Sequence, residues 1–201
     1  MLQKNLVLGS SSPYRKELLE RLGVPFECVS ADIDESRKGN ESPDALCRRL
    51  AREKAQKIKE LRPNSIIIGS DQVAVLGDRI LGKPHTVEKA IEQLSAMQGQ
   101  TVYFLTALCV LDEEGRAYET MVPTVVTMKK LSRKTIENYL QREQPLNCAG
   151  SAKIEKLGIA LMKEVQSTDP TALIGLPLIE TVNLLAKAGL EIIPGIGEDV
   201  Q

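Results

Sequence analysis

Five stretches of this 201-residue chain carry side chains suited to work on a charged ligand. The first is Gly9-Ser10-Ser11-Ser12-Pro13-Tyr14-Arg15-Lys16. Small hydroxyl residues follow an apolar stretch, and Ser-Pro opens a helix with two cations in its first turn. Free N–H groups at a helix start, with the helix dipole, attract anions. Arg15 and Lys16 oppose that dipole, so they cost some stability unless an anion sits beside them. The same pattern also describes a capped helix whose cations point to solvent. No Gly-Lys-Ser/Thr follows, so this is not a Walker A loop.

The second is Lys54. At ~100° per residue, Cys47, Leu50, Ala51, Ile58 and Leu61 fall within about 60° of one direction, and Lys54 lies about 20° from Cys47. A lysine centred on an apolar face snorkels, pairs, or points into a polar cleft, where it can deliver an ammonium to a phosphate. The third is Gly69-Ser70-Asp71-Gln72, an acid after the apolar run Ser65 to Gly69. An acid there sits at a sheet's carboxyl edge, where ligands bind, or caps a turn. The fourth is Gly82-Lys83-Pro84. Proline holds the preceding lysine on an extended segment, which suits stabilisation of a phosphoryl group or leaves a solvated loop lysine. The fifth is Glu35 in Ala31-Asp32-Ile33-Asp34-Glu35, either a solvated acidic loop or an oxygen donor for a hard divalent cation.

These residues need elements to position them. Leu6 to Leu8 reads as a short buried strand and Phe26 to Val29 as another. Ser12-Pro13 and Ser42-Pro43 open helices, the second running to about Leu61. Ser65 to Gly69 is a central strand. Val73 to Leu76 and Arg79 to Leu81 form a hairpin about Gly77-Asp78. A helix spans Val87 to Met97, and two long strands follow, Thr101 to Leu111 and Tyr118 to Met128. Ser132 caps a further helix, Leu157 to Met162 is strand-like, and Pro177 to Ala188 is helical. The tail after Pro194 is expected to fray. Helices and strands mix throughout, some joined by hairpins, so an α/β or α+β fold with a mixed sheet is expected.

Composition narrows the chemistry. Twenty-six Lys and Arg stand against 27 Asp and Glu, which argues against a partner held by a strongly cationic surface. With no Trp, four Tyr and two Phe, a stacking platform for single-stranded nucleic acid is poorly supplied. One histidine, His85, and four scattered cysteines without a CxxC disfavour a zinc site and a His-dependent hydrolase. No apolar run reaches the roughly 20 residues of a membrane-spanning helix. Only Lys4 precedes a first apolar stretch too short for a signal sequence, so a reducing cytoplasm is expected. Carboxylates, lysines and arginines are left to do any chemistry, and they suit phosphate and metal work.

Together these segments resemble the Maf-like nucleotide pyrophosphatase family, from Leu6 to about Leu190. Ser10 to Lys16, Asp34-Glu35, Arg52-Glu53-Lys54-Ala55, Gly69 to Val73, Gly82-Lys83-Pro84, Cys148-Ala149-Gly150-Ser151 and Gly175-Leu176-Pro177-Leu178 carry the likeness by their order and spacing. Ser70-Asp71-Gln72, Pro145 to Ser151 and Asp169-Pro170 look most like the branch that acts on 7-methyl-GTP. Tyr14 departs from the tryptophan expected in that branch, and Lys16 stands where arginine is frequent. The resemblance implies one two-lobed α/β domain over residues 1–201, inosine-triphosphatase-like, with an elongated mixed sheet and a cleft between lobes. It implies hydrolysis of a nucleoside triphosphate to monophosphate and pyrophosphate with Mg²⁺ or Mn²⁺. Asp71 would be the catalytic carboxylate. Ser10, Arg15, Lys54 and Lys83 would hold phosphates, and Glu35 with Asp71 would lie at the metal. Tyr14, Gln72 and Glu155 fall at positions that set the substrate. Without the resemblance, Glu155, between Lys153 and Lys156, reads as a solvated charge on a strand edge. Two alternatives remain open: a pyrophosphatase for pyrimidine or other non-standard nucleotides, and a non-hydrolysing nucleotide binder tied to cell division. A homodimer is the default assembly.

Overall fold

The computed structural model describes residues 4–195. Ser12, Ser42 and Ser132 cap helices as their positions predict. Each hydroxyl accepts the backbone N–H three residues on, opening α1 (Pro13–Glu20), α2 (Pro43–Leu61) and, after Ser132, a helix over Arg133–Glu143. Thr86 does the same for α3 (Val87–Met97), so Arg133–Glu143 is α4. The last helix, α5 (Leu178–Lys187), has no local side-chain cap. The Asp169 carboxylate reaches it from nearly ten residues upstream and accepts the N–H groups of Ile179 and Glu180.

Seven strands form one mixed sheet: β1 (Leu6–Leu8), β2 (Glu27–Cys28), β3 (Ile66–Leu76), β4 (Arg79–Leu81), β5 (Thr101–Leu111), β6 (Ala117–Met128) and β7 (Met162–Ser167). Their order is β2-β1-β3-β5-β6-β7, with β4 paired to β3. β1 runs parallel to β2 and β3, and every other pairing is antiparallel. The expected mixed α/β architecture is the one found.

Side chains alternate across β3, and the two faces carry different helices. On one face, Ile67, Val73 and Val75 pack with Cys47, Leu50, Ala51, Ala55 and Ile58 of α2. On the other, Ile66 and Ile68 join Leu18, Leu19, Leu184 and Leu185 of α1 and α5. Further along that face, Ala74 and Phe104 join Leu94, Met97, Ile136 and Leu140 of α3 and α4. Residues of the first and last of these clusters, among them Leu46, Leu50, Leu81 and Leu173, also line one cleft.

Two expected elements differ. Gly69-Ser70-Asp71-Gln72 is no loop at a strand's end. It is the middle of the 11-residue β3, with Ser70, Asp71 and Gln72 paired to Leu108, Ala107 and Thr106. The ladder holds polar residues in line because each side chain finds a partner off the sheet. Leu157 to Leu161 forms 3-10 turns rather than a strand, and β7 begins at Met162. Leu61, assigned by periodicity to the buried face of α2, is 51% exposed at the helix's end. Among the described residues, no helix is long and apolar enough to cross a membrane. The frayed tail expected after Pro194 lies largely outside the described residues.

Candidate active site

The site begins with a glycine. Gly69 lies where α2 crosses β3, and a Cβ on it would run into the Ala51 carbonyl oxygen and sit 2.8 Å from the Ala55 nitrogen. Only a bare backbone lets the helix come this close. That approach sets Lys54, one residue before Ala55, against Asp71, two residues past Gly69 on the same strand face.

Lys54 is 8% exposed and Asp71 7% exposed. The Lys54 ammonium donates to Asp71 Oδ1 at 2.6 Å and lies 2.8 Å from Glu35 Oε1. An ammonium has three donors, so one remains for a ligand. Glu35 is 52% exposed at its side chain and reaches in from the loop between β2 and α2. Partial burial pushes the Glu35 carboxyl up, but Lys54, Lys83 and Arg15 together hold it below its ordinary value. Arg15, Lys54 and Lys83 line one cavity with Glu35.

That cavity is a cleft of about 770 Å³. Ser10, Tyr14, Arg15, Glu35, Lys54, Lys83 and Glu155 line it, together with Asp71 and Gln72 from β3. All nine residues singled out in the sequence therefore meet in one place. Glu155 stands exposed in a turn rather than on a strand edge. Partial desolvation, helped by the charge of Glu143 and opposed by Lys153 and Lys156, raises its carboxyl above the ordinary range. Burial pulls the Lys153 ammonium down, but Tyr14, Cys148 and Glu143 outweigh it and raise the group.

The segment from Asp169 to Leu178 fastens this assembly. Gly175 has φ +120°, a conformation side-chain-bearing residues rarely adopt. Its carbonyl accepts Arg15 Nε at 2.7 Å and the Ser70 hydroxyl at 3.0 Å. Gln72 Nε2 donates to Ala172 O, Leu173 O and Thr106 Oγ1. With its amide nitrogen so engaged, Gln72 leaves its oxygen, an acceptor, for the cleft.

The family described as Maf-like protein matches residues 5–188 of this chain. The chain belongs to the Maf-like family. Among its relatives are the 7-methyl-GTP pyrophosphatases of Nitrosococcus oceani, 52% identical over 94% of this chain and 95% of the relative, and of Colwellia psychrerythraea, 49% identical over 94% and 96%. The 7-methyl-GTP pyrophosphatase of Pseudomonas putida is 52% identical over 92% of this chain and 97% of its own length.

In this Maf-like chain, sequence reasoning missed the anchors behind the cleft. Ser70 and Gly175 were visible only as parts of motifs, and Thr106 and Gln93 not at all. Their partners lie from tens of residues to more than a hundred residues away, and no local spacing signals such pairs. The one available signal was the hydroxyl and amide on either side of Asp71, polar side chains in a strand too apolar to need them.

Proposed function

We propose that this Maf-like protein hydrolyses the α–β phosphoanhydride of a nucleoside triphosphate, 7-methyl-GTP by preference, releasing pyrophosphate. One observation carries the reading: a nearly buried Lys54–Asp71 pair faces a cleft also supplied with Arg15, Lys83 and Glu35. A polyphosphate is the ligand whose charge matches three converging cations. Water attack adds negative charge to the reacting phosphoryl group, and fixed cations in a partly dry cleft oppose that charge.

The roles divide by chemistry. Arg15 offers phosphate its guanidinium nitrogens beyond the Nε already given to Gly175. Lys83 adds a second ammonium from the segment after β4, and the third N–H of Lys54 binds a phosphate oxygen. Ser10 adds a hydroxyl beside the start of α1. Asp71, held in place by Lys54, accepts the proton of the attacking water. Asp71 and Glu35 are hard oxygen donors that already converge on one positive group, so they fit Mg²⁺ or Mn²⁺ held jointly with the phosphates. Such an ion, when bound, neutralises phosphate charge and lowers the pKa of coordinated water.

At the base end, Tyr14 supplies an aromatic face and Glu155 a carboxylate, which favour a cationic, N7-methylated guanine. The deciding experiment is a panel of 7-methyl-GTP, GTP and dTTP with Mg²⁺ or Mn²⁺, read by pyrophosphate release. The expected order places 7-methyl-GTP first in kcat/KM. Asp71→Ala should lose about 10³-fold or more while remaining folded by circular dichroism. Equal turnover of all three nucleotides rejects the substrate; binding without release rejects the reaction.

A further inference from the structure

Two loops carry opposite ends of the ligand in the reading above. Gly82 to His85 carries Lys83, and the stretch from Gln144 to Glu155 carries the base-end wall. Both adopt costly backbone. His85 (φ 62°), Gln144 (φ 45°) and Ser151 (φ 56°) are side-chain-bearing residues in the left-handed region. Such conformations are costly and persist where the surroundings over-determine them. Ser151 is 0% exposed, and its neighbour Gly150 lies against Ala74, Phe104 and Met97.

One side chain contacts both loops. Gln93, half-buried on α3, donates from Nε2 to Gly82 O at 3.0 Å and accepts the Ser151 hydroxyl on Oε1 at 2.6 Å. The polarity is forced. A carbonyl oxygen only accepts, so the amide nitrogen faces Gly82 and its oxygen is left for Ser151. Pro84, buried next to Lys83, pins the first loop from the other side, and the His85 N–H donates to Leu146 O at 3.0 Å. Lys83 thus sits on a segment whose backbone is held before and after it.

We propose that Gln93 is a positioning residue that sets Lys83 relative to the wall bearing Cys148 and Glu155. It touches no ligand. It fixes the distance between a phosphate cation and the base-end wall, and through that distance couples triphosphate binding to base choice. Lys83 lines the same cleft as Glu35, Cys148 and Glu155, as this placement requires. This inference rests on the function proposed above.

The test uses Gln93→Glu and Gln93→Leu, each alone and combined with Lys83→Ala, in the full chain. Gln93→Glu keeps the acceptor for Ser151 but sets a carboxylate oxygen against the Gly82 carbonyl. It should raise the KM for 7-methyl-GTP about tenfold with kcat within about twofold. In the Lys83→Ala background the same change should shift KM by less than about twofold, because the group it positions is gone. Gln93→Leu cuts both tethers and should also narrow the preference for 7-methyl-GTP over GTP. Equal effects of Gln93→Glu with and without Lys83 overturn the proposal, as does a loss confined to melting temperature and kcat. Should Gln93→Leu fail to fold, the isosteric Gln93→Glu carries the test. Calorimetric binding of a non-hydrolysable triphosphate runs in parallel. If the wild type binds but releases no pyrophosphate, the hydrolytic reading fails, and the same double-mutant comparison in Kd still decides the role of Gln93.

Discussion

Replacing Lys54 with methionine keeps the length of its stem and removes only the ammonium. Asp71, 7% exposed, then faces Glu35 with no cation between them. Removing one partner of a buried ion pair costs roughly 3–5 kcal/mol. The lower end, about 3 kcal/mol, applies because Glu35 is half exposed and can turn to water. For a chain of this length each kcal/mol moves Tm by about 2–4 °C, so Tm should fall by about 6–12 °C at pH 7. The deficit must also depend on pH. In the wild type Glu35 is held below its ordinary 4.5, burial notwithstanding, largely by Lys54. A depressed carboxyl contributes stability that is present above its unfolded value and lost as pH falls through the folded one. The gap between wild type and Lys54→Met should therefore be full at neutral pH and shrink below the ordinary carboxylate range. Differential scanning calorimetry at pH 7 and at about pH 3.5 measures both terms. A variant that melts with the wild type at pH 7 refutes the claim that Lys54 and Asp71 form a buried, mutually stabilising pair, and a deficit unchanged in acid refutes the claim that Lys54 holds the Glu35 carboxyl down. Under the proposed function turnover should fall by about 10²–10³-fold in parallel, since the same ammonium would face the phosphate.

Three further outcomes are expected. Glu155→Gln should narrow the kcat/KM advantage of 7-methyl-GTP over GTP. In the wild type that advantage should shrink as pH falls toward the raised Glu155 value, because the protonated carboxyl offers no charge to a cationic base; a pH-independent ratio counts against the assignment. Gly69→Ala should cost about 1–3 kcal/mol in a urea melt, because its methyl meets the α2 backbone, and should depress kcat by moving Lys54 from Asp71. A neutral effect on both would show that the close crossing does not set the pair. Arg15→Lys should raise KM several-fold with little change in Tm, since a lysine cannot both bond Gly175 O and reach a phosphate; unchanged KM excludes a phosphate role for Arg15.

Local elements and chemical types were legible in the residues. Serines before Pro13 and Pro43 mark helix starts because a hydroxyl can satisfy an orphan N–H only there. The periodicity of α2 exposed Lys54 as a charge on an apolar face, a conflict that demands a partner. What periodicity missed was the continuity of β3. A rule that reads polar residues as loops breaks the strand at Ser70, whereas pairing with β5 carries the backbone through.

The choice among the readings of each charged residue belonged to tertiary structure. Lys54 could have snorkelled, Glu35 could have stayed solvated, and Lys83 could have stood in a loop. Their sequence neighbours are the same in every case. The close crossing of α2 and β3 at Gly69 sets Lys54 beside Asp71, Lys54 draws in Glu35, and the bonds of Gly82 and His85 hold the Lys83 segment at the same cleft. Residue identity determined which charges this protein owns. Their mutual distances come from contacts between segments tens to more than a hundred residues apart, and electrostatic energy depends on distance and burial, which chain order does not encode.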